Sequence, residues 1–219
     1  MNIFVESVSI DEIRHAVATG LADGVMLVDS AFAGSQSSEG RELIESVAQE
    51  FAIPICVDVA AVRADEMYQE AKELAKISDH IIVQLPLVED AIEPMHRLNR
   101  EGVEICANFV FNGAQAVLAA KCGASMVRVS LQELDAQGQT SANAVSEIRN
   151  LLEASECECD VMVASPFTTT QFMECIAAGA QIVCVQPDIL HSLLLHPLTD
   201  RSVDRFLSSL SRRQTRSHS

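Results

Sequence analysis

Seven polar residues stand at or beside the downstream ends of short apolar runs: Glu6, Asp58, Gln84, Asn108, Arg128, Ser130 and Ser165. Together they offer two carboxylates, two amides, two hydroxyls and one guanidinium. Glu6 or Asp58 can act as a general base, while Asn108, Ser130 and Arg128 can stabilise an enolate or alkoxide. The same set can instead bind a small metabolite, with Arg128 holding a carboxylate or phosphate in a fork and the amides reading hydroxyls. It can also form a self-satisfied polar plug in which Arg128 pairs with Asp58 or Glu6. A further arrangement holds a divalent cation between Glu6, Asp58 and Glu133, because carboxylates suit hard cations, although no local spacing motif accompanies it. No metal or cofactor is expected on these grounds.

The set lacks an amine. The three lysines, Lys72, Lys76 and Lys121, all fall in helix-patterned segments. Lys72 and Lys76 are four apart, the spacing of a solvated helix face. His15, His80, His96, His191 and His196 fall on helices or at strand entrances, and none is assigned to catalysis.

The elements that must position these residues read clearly. Eight short, mostly β-branched runs mark buried strands: Ile3–Val5, Gly24–Val28, Ile55–Val59, Ile81–Leu85, Glu104–Phe109, Met126–Val129, Val161–Ala164 and Ile182–Val185. Helical periodicity fills the gaps, at 39–51, 64–77, 91–100, 114–121 and 144–154, and again at 188–195 and 199–210. Ser9-Ile-Asp-Glu12 has capping-box spacing. Strand and helix alternating eight times imply parallel strands joined by right-handed crossovers. The economical closure is an α/β chain of the (β/α)8 TIM-barrel class with a C-terminal helical extension. An open doubly wound sheet is the alternative. It would usually carry a Gly-rich phosphate loop after strand 1, and Glu6-Ser-Val-Ser-Ile10 is not one. Residues 1–210 form one domain on this reading, and 211–219 a basic tail containing Arg212, Arg213 and Arg216. The loops 33–40 and 136–141 are expected on the face that carries the strand ends, and the hydroxyls of 165–171 are expected to cap a helix N-terminus.

Composition narrows the partners. The net charge of −16 argues against nucleic acid and anionic membrane, which require clustered cations. Seven cysteines, mostly in apolar runs, suggest small buried thiols in a reducing compartment. Cys157-Glu-Cys159 is too short for a zinc knuckle. No secretory leader is visible and no apolar stretch approaches membrane-spanning length, so the cytoplasm is expected.

The chain resembles the transaldolase family, in its small fructose-6-phosphate aldolase-like branch. The likeness rests on Glu70-Ala-Lys-Glu-Leu74, Leu85-Pro86, Gly113-Ala-Gln-Ala-Val-Leu-Ala-Ala120, Leu134-Asp-Ala-Gln-Gly138, Val163-Ala-Ser165 and His196-Pro-Leu198. The resemblance implies sugar-phosphate or related carbonyl metabolism through a lysine Schiff base. It also implies a homo-oligomer, a pentameric ring or decamer assembled through the terminal helix, for which Val203, Phe206, Leu207 and Leu210 supply an apolar stripe.

At the family's functional positions this sequence differs. The first-strand aspartate aligns with Glu6, and the second-strand Thr-Asn-Pro with Leu27-Val28-Asp29. The third-strand glutamine aligns with Asp58 and the Schiff-base lysine with Gln84. The strand-5 threonine aligns with Asn108, the strand-6 tyrosine with Ser130, and the phosphate-binding arginine with Glu133. Only the strand-7 serine is kept, as Ser165. The expected protein is therefore a catalytically altered or inactive family member that binds a small metabolite. The alternatives are an enzyme with lysine-independent acid–base chemistry and a non-catalytic ring-forming scaffold.

Overall fold

Eight parallel strands close on themselves in sequence order, and β1 pairs with β8 through Asn2↔Ile182 to Val5↔Val185. The structure is a computed structural model that describes residues 1–27, 38–165 and 168–216, with the backbone alone at 210–216. The strands are β1 (Asn2–Glu6), β2 (Gly24–Leu27), β3 (Ile55–Asp58), β4 (Ile81–Pro86), β5 (Glu104–Asn108), β6 (Met126–Ser130), β7 (Asp160–Ala164) and β8 (Ile182–Val185). Between them run α1 (Ile10–Ala18), α2 (Ser38–Glu50), α3 (Ala64–Ala75), α4 (Glu89–Arg100) and α5 (Gly113–Lys121). After β6 come α6 (Leu131–Ala136) and α7 (Ser141–Ala154), and after β7 comes α8 (Thr169–Ala177). The chain ends in α9 (Pro187–Ser192) and α10 (Pro197–Arg216). This is the (β/α)8 barrel that the alternation predicts. Closure removes every sheet edge and puts all eight strand C-termini on one face.

Alternate strand residues divide the core in two. Outward residues such as Val5, Val25, Val83 and Val127 join the helices in one large apolar layer. Inward residues form a separate cluster of Phe4, Met26, Cys56, Ile82, Cys106, Met126, Met162, Ala164, Ile182 and Cys184. Much of that interior is sulfur, with Cys184 Sγ 3.6 Å from Met26 Sδ. Unbranched, polarizable Met and small Cys fill an irregular barrel interior without demanding fixed shapes. Gly24 begins β2 because a Cβ there would lie 2.5 Å from the Phe4 ring.

Some elements depart from expectation. Ser9 caps α1, but Glu12 does not reach back to the Ser9 N–H. It accepts from Ser7 Oγ at 2.5 Å, and Ser7 Oγ accepts from the Ser9 N–H at 3.0 Å, so the capping box closes through a third residue. The six-residue α6 is too short to show a period and was not expected. The terminal helix runs on to Arg216 and takes in much of the basic tail. Residues 28–37, with Val28, Asp29 and most of the 33–40 loop, lie outside the described residues, as do Pro166, Phe167 and the Leu210 side chain. No helix among the described residues is long and apolar enough to cross a membrane.

Candidate functional site

The strand ends deliver the polar residues. β1 ends on Glu6, β3 on Asp58, β5 on Asn108 and β6 on Ser130, while Gln84 and Arg128 sit one inward position deeper. Ser165 follows β7. Inward parity in a barrel aims the six strand residues at its axis, whereas Ser165, out of parity with the inward Met162 and Ala164, leaves the strand with a φ of 60° and still reaches Glu6. Asp58 and Gln84 are register partners across β3 and β4. Ser165 Oγ donates to Glu6 Oε2 at 3.3 Å, joining strands far apart in sequence.

Gln84 is the most informative of these residues. It is 1% exposed, and neither its amide oxygen nor its amide nitrogen has a hydrogen-bond partner among the described residues. The buried Arg128 Nε is likewise unpartnered. A buried polar group without a partner costs about 1–3 kcal/mol, so this is an expensive arrangement for a structural core. Expectation is corrected here in one respect. Arg128 makes no ion pair within 4.0 Å with Asp58 or Glu6, and the ion pairs among the described residues all lie on the outer helices. The groups share a field without closing into a plug.

That field shows in the titrating groups. Burial pushes the Asp58 carboxyl up, the Arg128 guanidinium partly offsets this, and Glu6 adds to the rise. Burial also raises the Cys56, Cys106 and Cys184 thiols beneath, with Arg128 acting in the opposite sense on each. Protonated thiols are poor nucleophiles, so the sulfur layer is a floor and not a reactive set.

The remaining predicted residues divide. Asn108 is buried, and its Oδ1 accepts from the Phe109 N–H at 2.8 Å, which leaves its amide nitrogen as the usable group. Ser130 is half-buried and stands at the N-cap of α6 without a side-chain capping bond. Glu133 is exposed in the first turn of α6 and is not brought into the interior. The three-carboxylate cation arrangement is therefore not assembled, and no metal-binding group of His, Cys, Asp or Glu exists among the described residues. In 165–171, Thr168 caps α8 by accepting from the Gln171 N–H at 3.1 Å.

Two features escaped sequence reasoning. Phe109 and Ser165, each directly beyond a strand, have φ of 59° and 60°. Such a conformation costs a non-glycine residue about 1–3 kcal/mol and collects at functional sites. Phe109 is also 48% exposed, a large aromatic on the rim of a chain with few aromatics. The second is Asp135, which accepts from Ser141 Oγ at 2.8 Å and from Gln171 Nε2 at 2.9 Å. It ties α6 to α7 and α8, which gives the Leu134–Gly138 motif a positioning role behind Ser130 and Ser165.

The lysines lie elsewhere. Lys72 and Lys76 are on and just beyond α3, paired with Glu101 at 2.7 Å and with Glu73 at 2.5 Å. Hydrogen bonds that Lys72 donates to Glu101 and Tyr68 raise its pKa, the opposite of amine activation. Lys121 ends α5 on the outer ring.

Comparison with known proteins gives the lineage. The family model described as Transaldolase/Fructose-6-phosphate aldolase matches residues 4–218. The chain belongs to that family. A "Probable transaldolase" of Methanococcus maripaludis strain C7 is 32% identical over 211 residues, 95% of this chain and 96% of the relative. One of Petrotoga mobilis is 31% identical over 214 residues, covering 98% and 96%. One of Bartonella tribocorum is 34% identical over 211 residues, covering 95% of each. The transaldolase-family match thus spans the whole barrel, the strand ends and α10 included.

Proposed function

We propose that this chain is a transaldolase-family barrel without imine catalysis, which binds a small sugar phosphate or related carbonyl metabolite in the cytoplasm. The observation that carries this reading is Gln84. By its resemblance it stands at the family's lysine position, it is buried, and its amide lacks a partner among the described residues. An amide is not an amine nucleophile, but it donates and accepts, and a carbonyl–hydroxyl ligand complements both functions. The fixed floor of the barrel interior and the Glu6–Ser165 bond preset polar groups near it.

A second reading has one observation in its favour. Glu6 is held by Ser165, and Asp58 has its carboxyl pushed up by burial. Two carboxylates in different environments can divide base and acid roles. Proton abstraction next to a carbonyl would then proceed without a lysine, with the Asn108 amide nitrogen and Arg128 facing the developing oxyanion.

We also propose that the protein forms the homo-oligomeric ring, a pentamer or decamer, expected for its family. Support comes from α10, where Leu198, Val203 and Phe206 are exposed on one chain. A contiguous exposed apolar stripe marks an interaction surface.

The decisive experiment is borohydride reduction of the protein incubated with dihydroxyacetone or fructose 6-phosphate, followed by intact-mass analysis. No adduct is expected. A stoichiometric adduct mapped to Lys72, Lys76 or Lys121 refutes the proposal. Gln84→Lys alone is expected to remain unreactive toward fructose 6-phosphate, because Ser130 and Glu133 still stand where the family places tyrosine and arginine.

A further inference from the structure

Building on the binding reading above, we propose that the ligand of this site is a small hydroxy or oxo monocarboxylate, whose carboxylate seats on the Arg128 guanidinium while a neighbouring oxygen meets the Gln84 amide. Arg128 stands on β6 with inward parity, and its Nε is buried. Its charge acts on the thiols of Cys56 on β3, Cys106 on β5 and Cys184 on β8, and on the Asp58 carboxyl. The guanidinium therefore belongs to the barrel interior and not to the outer ring. An arginine keeps its charge at physiological pH. Yet among the described residues its Nε has no hydrogen-bond partner, and no carboxylate lies within 4.0 Å of it. An interior cation without a counter-charge is costly for a structural core and suited to holding an anion.

The order of strands around the wall keeps that cation apart from the site's own acids. From β6, the Glu6 strand β1 is reached only past β7 and β8, and the Asp58 strand β3 only past β5 and β4. Glu6 also has an internal partner, since Ser165 Oγ donates to its Oε2 at 3.3 Å. The uncharged polar groups lie on the Arg128 side: Gln84 on β4, Asn108 on β5 and Ser130 on β6 itself. Both amide atoms of the buried Gln84 lack partners among the described residues. The Asn108 Oδ1 is taken by the Phe109 N–H, which leaves its amide nitrogen to donate. One side of the interior thus offers a cation with neutral donors and acceptors beside it.

A guanidinium presents its N–H groups in a planar fork, which a carboxylate matches with two parallel bonds. One carboxylate neutralises one guanidinium. A phosphate ester would bring up to two charges toward an interior that already holds Glu6 and Asp58, with Arg128 the single cation of the set. Burial pushes the Asp58 carboxyl up, which eases the approach of one further acid. Gln84 completes the match, because its amide answers a carbonyl through its nitrogen and a hydroxyl through its oxygen. The floor of Met and Cys side chains below leaves room for a small molecule only above it.

The test is isothermal titration of the full chain with matched compounds: pyruvate and its methyl ester, lactate and lactamide, glycerate and glycerol, with dihydroxyacetone, its phosphate and inorganic phosphate alongside. We expect at least one carboxylate to bind. Its uncharged counterpart and the phosphates should bind at least about tenfold more weakly, the difference between a charged and a neutral hydrogen-bond partner. That preference should survive raised NaCl, because buried pairs are screened far less than exposed ones. Arg128→Gln should abolish it, and Arg128→Lys, which keeps the charge and loses the fork, should retain part of it, both with the circular-dichroism spectrum of wild type. If neither variant folds, the matched pairs and the salt series on wild type decide. A carboxylate that binds no better than its counterpart overturns this inference, as does a preference that vanishes with salt or persists in a folded Arg128→Gln. Binding of dihydroxyacetone or its phosphate where no carboxylate binds also overturns it and leaves the binding reading standing. If no compound binds, both readings fall.

Discussion

Replacing Gln84 by leucine should stabilise the ligand-free protein. The side chain is 1% exposed and two of its atoms, Oε1 and Nε2, lack partners among the described residues. Each such group carries a desolvation cost of about 1–3 kcal/mol, so removing both relieves about 2–6 kcal/mol. Leucine is branched where glutamine is straight, and the imperfect fit between Asp58 and Cys106, its register neighbours, returns about 1–2 kcal/mol of that. The net gain is about 2 kcal/mol. For a chain of 219 residues this corresponds to a rise in Tm of about 4–8 °C. Gln84→Met, unbranched, should gain at least as much and controls for shape. The measurement is urea and thermal unfolding of extensively dialysed protein, followed by ligand titration of the same variants. Binding should be lost as stability rises, the trade expected when a buried polar group is kept for function. A fall in Tm in both variants refutes the reasoning, because it would mean that the amide is well satisfied in the free protein.

Three further outcomes are expected. Asp58→Asn should increase stability at neutral pH and have little effect at low pH. With the folded carboxyl above its ordinary value of 3.8, the native state holds the proton longer than the unfolded chain, so stability falls as pH rises through that interval. Urea midpoints of wild type and variant from pH 3.5 to 8 should therefore diverge upward from the ordinary value. Thiol labelling of the native protein should modify Cys122 and Cys157, which are half-buried, while Cys56, Cys106, Cys159, Cys175 and Cys184 react only on unfolding. The Cys159 and Cys175 thiols, pushed up by burial to about 12 and about 11, should stay unlabelled even at pH 9, as judged by intact mass. Phe206→Asp should shift the molar mass in light scattering toward the monomer without changing the circular-dichroism spectrum, since Phe206 is exposed on the single chain.

The barrel was legible because its strands are buried on both faces. A run such as Ile81–Leu85 has no solvent side to alternate with, and its ends fall where polarity returns. The strands differ from the expected runs by at most one residue at either end, and the junction of β1 with β8 needed no signal beyond the count. Short elements were not legible. Six residues of α6 span less than two turns, so no period can accumulate. The site was legible in membership and not in pairing. Parity states that Arg128 points inward with Asp58 and Glu6, but whether a guanidinium meets a carboxylate depends on depth within the barrel, which no local pattern encodes. Glu133 shows the same limit, since it follows β6 closely yet sits exposed on α6. Phe109 was read as an ordinary strand end, because positive φ in an aromatic residue has no compositional signature.

The two-layer core explains how a chain can match its family over almost its full length and still be free to vary at the strand ends. Residues that hold the helices to the barrel point outward and belong to one apolar layer. Those that floor the site point inward and belong to another. Side chains one or two positions above that floor share its inward parity and are not part of the outer apolar layer. A change there, such as the exchanges proposed at Gln84 and Ser130, would alter the chemistry of the mouth without disturbing outer packing. The motifs that do reach across elements, such as Asp135 with Ser141 and Gln171, are under the opposite constraint, because losing one partner strands the others. The family's scaffold motifs therefore mark where elements are tied together. Its catalytic positions are the ones a barrel of this kind can exchange at low cost to the fold.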